Sequence, residues 1–363
     1  MSKLFKIGVD AMGGDGAPAE IVKGAILAVK KYADIEVTLY GNLEEIKKHL
    51  PQAYAVHDGV AHMQMADMSA YWPTGDDRLK IVHCEGVIPM DANDPAMAIR
   101  RGKDTSLVVA SKAVKGGEVD ALVSAGSTGA LIAAGTLIVK RLKSVDRPAL
   151  APLLPTVKKG TNTILCDAGA TSEAKANFIY QNAKLADIYA KAVLGFQNPT
   201  IGLLNIGTED AKGGAVQVEA FAMLKADSSL NFLGNIEAKS MISGEIDIIA
   251  ADGYSGNIAL KAIEGTAKNI FALLKAEIMS TTTGKIGGLL LKSTFAEIKE
   301  ILNPKTVGGA ILLGIAAPVI KSSGSSDAQT LMYAIEHAKK VVQNDVINKM
   351  DAALSAAKEN ASE

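Results

Sequence analysis

Short β-branched apolar runs recur along most of the chain, each closing on a Gly/Asp/Ser/Thr-rich turn that gives way to a segment of helical period. Six stand out: "FKIGVD" before "AMGGDGAP", "DALVSAG" before "STGALIAAG", "NTILCDAG" before "ATSEAKANF", "TIGLLNIG" before "TEDAKGG", "LNFLGN" before "IEAKS" and "IDIIAADG" before "YSGNIALKAIEG". That alternation predicts an α/β fold with a parallel sheet. The carboxyl ends of parallel strands share one edge, so the six polar turns are expected to converge on a crevice there, where such folds bind ligands.

Two stretches break the rhythm. Residues 258 to 303 read as two apolar-striped helices around the turn "STTTGKIGG", a projecting helical hairpin of the kind that makes a dimer interface. Residues 51 to 78 hold Pro51, Pro73, Trp72 and three methionines with no period, which predicts a long surface loop or lid. Residues 344 to 363 read as a polar C-terminal helix that frays into a tail. No Pro/Ser/Gly linker separates independent domains, so residues 1 to 343 are expected to form a single α/β domain.

With 38 basic against 39 acidic residues, nothing global attracts nucleic acid or an anionic membrane. Cys84 and Cys166 lie far apart without CxxC or His-rich spacing and read as buried strand residues. Asp10 and Asp15 could pair on a metal, but acids at a strand end more often cap backbone amides, so no metal is expected. The N-terminus lacks the apolar core of a signal peptide, and no uncharged run reaches the ~18 residues of a spanning helix. A soluble cytoplasmic protein is expected.

The candidate chemistry lies in the turns. Gly14, Gly16 and Ala19 match the G-x-G-x-x-A dinucleotide spacing, but no ribose-binding acid ends "DIEVTLYGN" and Asp15 would repel a pyrophosphate. A Walker loop is absent, so no nucleotide cofactor is expected. "SAGSTGA", Ser124 to Ala130, is the better anion site: its glycines let the backbone close in, Ser127 and Thr128 offer hydroxyls, and the following helix presents free amides. Inorganic phosphate fits; for this turn alone, a helix cap that binds nothing fits equally well. Lys175, Lys212 and Lys261 come from neighbouring turns and suit a phosphate or a developing oxyanion. The five histidines lie outside the turns and no GxSxG serine or placed cysteine occurs, which argues against a Ser-His-acid hydrolase. What remains is chemistry in which a substrate such as phosphate supplies the nucleophile and the protein orients it.

Eight stretches, "KIGVDAMGGDGAP", "DPAMAIRRGKDTS", "SAGSTGALIAAG", "RPALAPLLPT", "IGLLNIGTEDAKG", "NFLGNIEAK", "DIIAADGYSGNIALKAIEG" and "GGAILLGIAAPVIKSSGSSDA", together resemble the bacterial phosphate acyltransferases of phospholipid synthesis, the PlsX family. They run in family order from residue 6 to about 340. The resemblance implies a Rossmann-like three-layer α/β/α sandwich, related to isocitrate and isopropylmalate dehydrogenases, with a helical hairpin at the contact of a homodimer. It implies a cytoplasmic enzyme converting acyl-acyl carrier protein and inorganic phosphate to acyl phosphate and free carrier protein, without a cofactor. An acyl-coenzyme A phosphotransacetylase, a dehydrogenase of the related fold and a membrane scaffold are the rivals.

By motif position the resemblance assigns phosphate binding to Asp15, Gly126, Ser127, Thr128 and Gly129, with Ser127 in place of the family's asparagine. It assigns catalysis to Lys175, Lys212, Asn205 and Asn235, and substrate binding to Asp252, Asn257, Lys261 and Asp327. Thr171 and Ala176 depart from the family's asparagine and proline. An acidic carrier protein calls for a basic patch, either Arg100, Arg101 and Lys103 or Lys140, Arg141, Lys143 and Arg147. The uncharged run from Ile286 to Leu291, flanked by Lys285 and Lys292, suits either a dimer core or contact with the membrane surface, where a glycerol-3-phosphate acyltransferase would receive the product.

Overall fold

A computed structural model of the chain describes residues 4–52, 62–63, 70–73, 76–301 and 308–360. Its internal contacts divide it into two compact units, Met1–Pro148 with Ile188–Phe196 and Lys305–Glu363, and Ala149–Asp187 with Gln197–Pro304.

The first unit contains β1 (Phe5–Asp10), β2 (Ile35–Gly41), β3 (His62–Met63), β4 (Ala70–Pro73), β5 (Leu79–His83), β6 (Ala121–Ser124) and, late in the chain, β13 (Ala310–Leu313) and β14 (Val319–Lys321). They lie in the order β3-β4-β5-β2-β1-β6-β14-β13. The middle five run parallel, while β4 on β5, β3 on β4 and β13 on β14 pair antiparallel. Ala121, Leu122 and Val123 are all fully buried, as a parallel strand covered on both faces requires. Two helices supply part of that cover. Ile21, Val22, Ala25 and Val29 of Ala19–Lys31 and Leu331, Ile335, Ala338 and Val341 of Ala328–Gln343 recur at helical spacing and are buried, the two helices packing on each other. Each buried Leu or Ile stabilises by about 2 kcal/mol.

Deeper in the same unit, Tyr189 Oη lies 2.7 Å from His337 Nε2, and His337 Nδ1 lies 3.0 Å from the Gly308 carbonyl. A carbonyl only accepts, so Nδ1 carries the proton, and burial pushes the imidazole down to about 4. The C-terminal segment is not wholly polar: Val346, Met350 and Leu354, at i, i+4 and i+8 of the helix Val346–Asn360, are buried.

The second unit opens with β7 (Ala149–Ala151) and builds a five-stranded sheet from β8 (Leu153–Pro155), β9 (Asn162–Cys166), β10 (Thr200–Asn205), β11 (Asn231–Glu237) and β12 (Ile248–Ala250), ordered β11-β10-β12-β9-β8 with only β8 antiparallel. Leu154, Leu165, Ile236, Met241 and Ile249 pack there with Leu260 and Ile263 from the first half of the long helix Gly253–Ser280.

Three expectations change. The six strand–turn–helix units do not share one sheet edge: β1 and β6 belong to the first unit's sheet and β9 to β12 to the other. The hairpin is three helices, Gly253–Ser280, Thr282–Leu290 and Lys292–Ile301; "STTTGKIGG" is mostly helical because Thr281 Oγ1 accepts from the Gly284 N–H at 3.0 Å and restarts the helix. Within 51–78, β3 and β4 extend the sheet, and the rest of that loop lies mostly outside the described residues. Both cysteines are buried and free, Cys166 in β9 and Cys84 one residue past β5. No helix among the described residues is long and apolar enough to cross a membrane.

Candidate active site

In the first unit, β1, β6 and β14 lie side by side and parallel, so the loops leaving their carboxyl ends meet. The Asp15 N–H donates to the Gly324 carbonyl at 2.8 Å, and the Ser322 N–H to that of Ser124 at 2.9 Å. Gly14, at φ +103°, fits between Ala125 and Gly324, where a Cβ would lie 3.0 Å from the Ala125 Cβ and 3.1 Å from the Gly324 oxygen. Gly13 is as constrained: a Cβ there would sit 2.5 Å from Asp10 Oδ2 and 2.7 Å from the Gly126 nitrogen.

Beneath these loops lies Asp10, buried at the end of β1. Ser106 Oγ donates to its Oδ1 and Ser124 Oγ to its Oδ2, both at 2.7 Å, and the Met12 N–H reaches Oδ1 at 3.3 Å. Burial raises its pKa, opposed by these donors.

The loop after β6 opens into the helix Thr128–Ala134, whose N-cap, Ser127, makes no side-chain capping bond. Ser127 is half-buried, Thr128 and Gly129 are exposed, and the first main-chain bond of the helix runs from Leu131 N–H to Ser127 O at 3.0 Å. The amides before it have no place in the helix's own ladder, and such a positive helix end suits an anion. The helix after β14 differs: Asp327 Oδ1 accepts from the Thr330 N–H at 2.9 Å and its hydroxyl at 2.7 Å, and Glu20 accepts from the Ala328 N–H at 2.9 Å. The carboxylates of Asp327 and of Glu20, from the neighbouring helix, already take amides of that terminus. Of the residues expected to bind phosphate, Ser127, Thr128 and Gly129 thus surround the open terminus, whereas the N–H of Gly126 goes to Ser124 Oγ at 3.0 Å and that of Asp15 to Gly324, so these two shape the loop. Asp327 is a helix cap.

Gly129 packs against Pro95, whose helix, Pro95–Arg101, ends in exposed Arg100 and Arg101 with exposed Lys103 just beyond. The basic residues therefore sit on the helix beside the one that opens at Thr128. In the alternative cluster, Arg141 folds back onto the carbonyls of Val145 and Asp146.

In the second unit, Asn205 and Asn235 are brought together at the heads of adjacent strands. Asn205 Nδ2 donates to Asn235 Oδ1 at 3.1 Å and to the Lys212 carbonyl at 2.9 Å, while Asn235 Nδ2 donates to the Glu209 carbonyl at 2.8 Å. Both amides thus shape the loop that carries Lys212. Lys212 Nζ is 3.7 Å from Glu209 Oε1 and half in solvent. Lys175 is exposed at the start of the helix Ala176–Tyr189, its ammonium 5.8 Å from the Phe178 ring centre. Asp252 caps the long helix, accepting from the Ser255 N–H at 2.8 Å, and Lys261, one side of that helix, pairs with Glu264 at 2.7 Å. Asn257 lies against Gly169. Beside it Asp167, buried just after β9, accepts from four amides, those of Leu150, Gly169, Ala170 and Thr171, at 2.9 to 3.0 Å. Burial pushes its carboxyl up against those bonds.

Sequence reasoning missed Asp10 as an anchor, with Ser106 and Ser124, and also missed Asp167. It also left "VIKSSGSSDA" out of the strand–turn–helix set, although its β-branched run, Ser/Gly turn and helix follow the same rhythm. Burial pushes the Cys84 thiol up to about 12 and that of Cys166 well above its ordinary value, so neither is a ready nucleophile. Among the described residues no three His, Cys, Asp or Glu side chains gather as a metal site.

Comparison with known proteins bears on the fold and the family. Three solved structures share the fold: a phosphotransacetylase from Streptococcus pyogenes (TM-score 0.60, 17% identity, 95% of each chain), the EutD phosphotransacetylase from Staphylococcus aureus (0.54, 14%, 93% of this chain and 94% of that one) and a branched-chain phosphotransacylase from Enterococcus faecalis V583 (0.52, 14%, 93% and 99%). At these identities the likeness concerns the fold alone. Proteins named phosphate acyltransferase from Bacillus cereus (strain G9842) and Bacillus thuringiensis (strain Al Hakam) are 42% and 41% identical over 343 residues, 94% of this chain and 96% of theirs. The family described as fatty acid synthesis protein matches residues 5–349, and the chain belongs to that family, the phosphate acyltransferases its motifs resemble.

Proposed function

We propose that the chain transfers an acyl group from acyl-[acyl carrier protein] to inorganic phosphate, giving acyl phosphate and free carrier protein for phospholipid synthesis. Hydrogen phosphate attacks the thioester carbonyl; a C–O bond forms, the C–S bond breaks, and the phosphate proton goes to the departing thiolate. One observation carries this reading: the uncapped, exposed helix end at Ser127–Gly129, held by glycine loops in a chain whose relatives are phosphate acyltransferases. A preorganised set of amides and hydroxyls of that kind holds an anion without an enzyme nucleophile.

In this reading Ser127, Thr128 and Gly129 bind phosphate, with Asp15 and Gly126 shaping the loop. Lys175 or Lys212 bears the oxyanion, with Asn205 and Asn235 holding the Lys212 loop. Asn257 and Lys261 contact the substrate, and Asp252 and Asp327 fix the helices that present it. Arg100, Arg101 and Lys103 dock the acidic carrier protein. The exposed apolar side chains Leu273, Ile286, Leu289 and Leu290 support contact with a second copy of the chain and with the inner membrane face, where a glycerol-3-phosphate acyltransferase takes up the product. No cofactor enters the proposal.

The test supplies purified protein with acyl carrier thioester or acyl-coenzyme A, with and without phosphate, and follows thiol release. The reading predicts phosphate-dependent release, faster from the carrier protein. Preference for coenzyme A would make the enzyme a phosphotransacetylase, and sedimentation with lipid without thioester consumption would make it a scaffold.

A further inference from the structure

The mechanism above makes no chemical use of Asp10, yet this buried carboxylate holds the turn after β1 through the Met12 N–H at 3.3 Å and reaches the 124–129 turn through one hydroxyl, that of Ser124. Ser124 Oγ has one proton and gives it to Asp10 Oδ2 at 2.7 Å, so toward Gly126 it can only accept, and the Gly126 N–H donates to it at 3.0 Å. Asp10 Oδ1 is taken by Ser106 Oγ at 2.7 Å, which anchors the helix Ser106–Gly116 rather than the loop. The same carboxylate crowds Gly13: a Cβ at that position would meet both Asp10 Oδ2 and the Gly126 nitrogen.

From this we infer that Asp10 is a positioning residue for phosphate: through Ser124 it fixes the direction of the Gly126 peptide and so sets the register of Ser127, Thr128 and Gly129 around the anion. Polarity is what an ionised carboxylate contributes. It has no proton to give, so both neighbouring hydroxyls must point at it. An amide at this position would donate to one of them, freeing Ser124 to turn its proton toward the Gly126 N–H and push the loop away. The inference rests on the assignment of the Ser127–Gly129 terminus to phosphate.

The experiment measures inorganic phosphate in two ways, by calorimetric binding to the protein alone and as KM in thioester turnover, for Asp10→Asn, Ser124→Ala and Ser106→Ala. Losing one ordered hydrogen bond in the loop is expected to weaken phosphate about tenfold in Asp10→Asn and Ser124→Ala, with the KM for acyl thioester held within about twofold. Ser106→Ala removes a bond to the same carboxylate but not the link to the loop, and phosphate affinity should stay within about twofold of the parent. Phosphate affinity unchanged in folded Asp10→Asn, or both substrates weakened alike, overturns the relay. If Asp10→Asn does not fold, Ser124→Ala decides on the same criterion. A parent protein that binds phosphate but turns over no thioester contradicts the proposed reaction, and the calorimetric comparison still decides the relay.

Discussion

Asn205 Nδ2 donates to Asn235 Oδ1 at 3.1 Å, joining two strands at the head of the loop 206–213, and each amide spends another N–H on a carbonyl of that loop. Losing either side chain leaves loop carbonyls without their donors, at a cost of about 1–3 kcal/mol where buried. Asn235→Ala, the more buried of the pair, should lower urea-unfolding stability by that amount and speed amide exchange at 206–213. Slowed or unchanged exchange there would show that the loop is held by something else.

Lys175 and Lys212 are proposed to bear the oxyanion. Removing one such donor typically costs on the order of 10²-fold in kcat. Replacing the operative lysine with Ala should lower kcat by that order while the affinity for carrier protein changes by less than about threefold. Full turnover in both variants would remove both lysines from the chemistry.

The elements were legible where local periodicity decides them. "FKIGVD" and "TIGLLN" are strands because β-branched apolar runs buried on both faces suit the interior of a parallel sheet, and Asp10 and Asn205 end them as the turns predicted. Which strands share a sheet was not legible, because pairing joins residues far apart: β1 meets β6 across more than a hundred positions, and the second unit's strands form a sheet of their own. The anion loop was visible in "SAGSTGA", but its anchor was not, since Ser106 and Ser124 lie 96 and 114 residues from Asp10. "STTTGKIGG" misled because threonine and glycine signal a turn, and here Thr281 starts a new helix. Lysines read as convergent are partly spent, as the Lys261–Glu264 pair shows.

The basic helix end beside Gly129 gives a third expectation. Arg100→Glu with Arg101→Glu should raise the KM for acyl carrier protein by about tenfold or more at low salt, less at high salt, because rim charges act mainly through steered encounter. The same variant should leave turnover of a short acyl-phosphopantetheine thioester unchanged. A salt-independent loss with both donors would place the damage in the fold.

His337 makes stability depend on pH. Its folded pKa is about 4 against an ordinary 6.5, so between those values the unfolded chain binds more protons and stability is lost as pH falls. The slope reaches about 1.4 kcal/mol per pH unit. Asp10 and Asp167, raised by burial, contribute the opposite trend, with stability lost as pH rises through their folded values. Comparing urea unfolding of the parent and His337→Gln from pH 7 to 4.5 isolates the histidine, and the parent should lose more stability than the variant. Parallel curves would show that the imidazole takes up its proton in the fold as readily as in the unfolded chain.

The most direct test of the phosphate-as-nucleophile account is rapid mixing of the protein with acyl carrier thioester in phosphate-free buffer, reading thiol release against time. The account predicts no release above background until phosphate is added, and then steady turnover without a lag. A burst of thiol stoichiometric with protein before phosphate is added, with the acyl group found on a side chain, would contradict it.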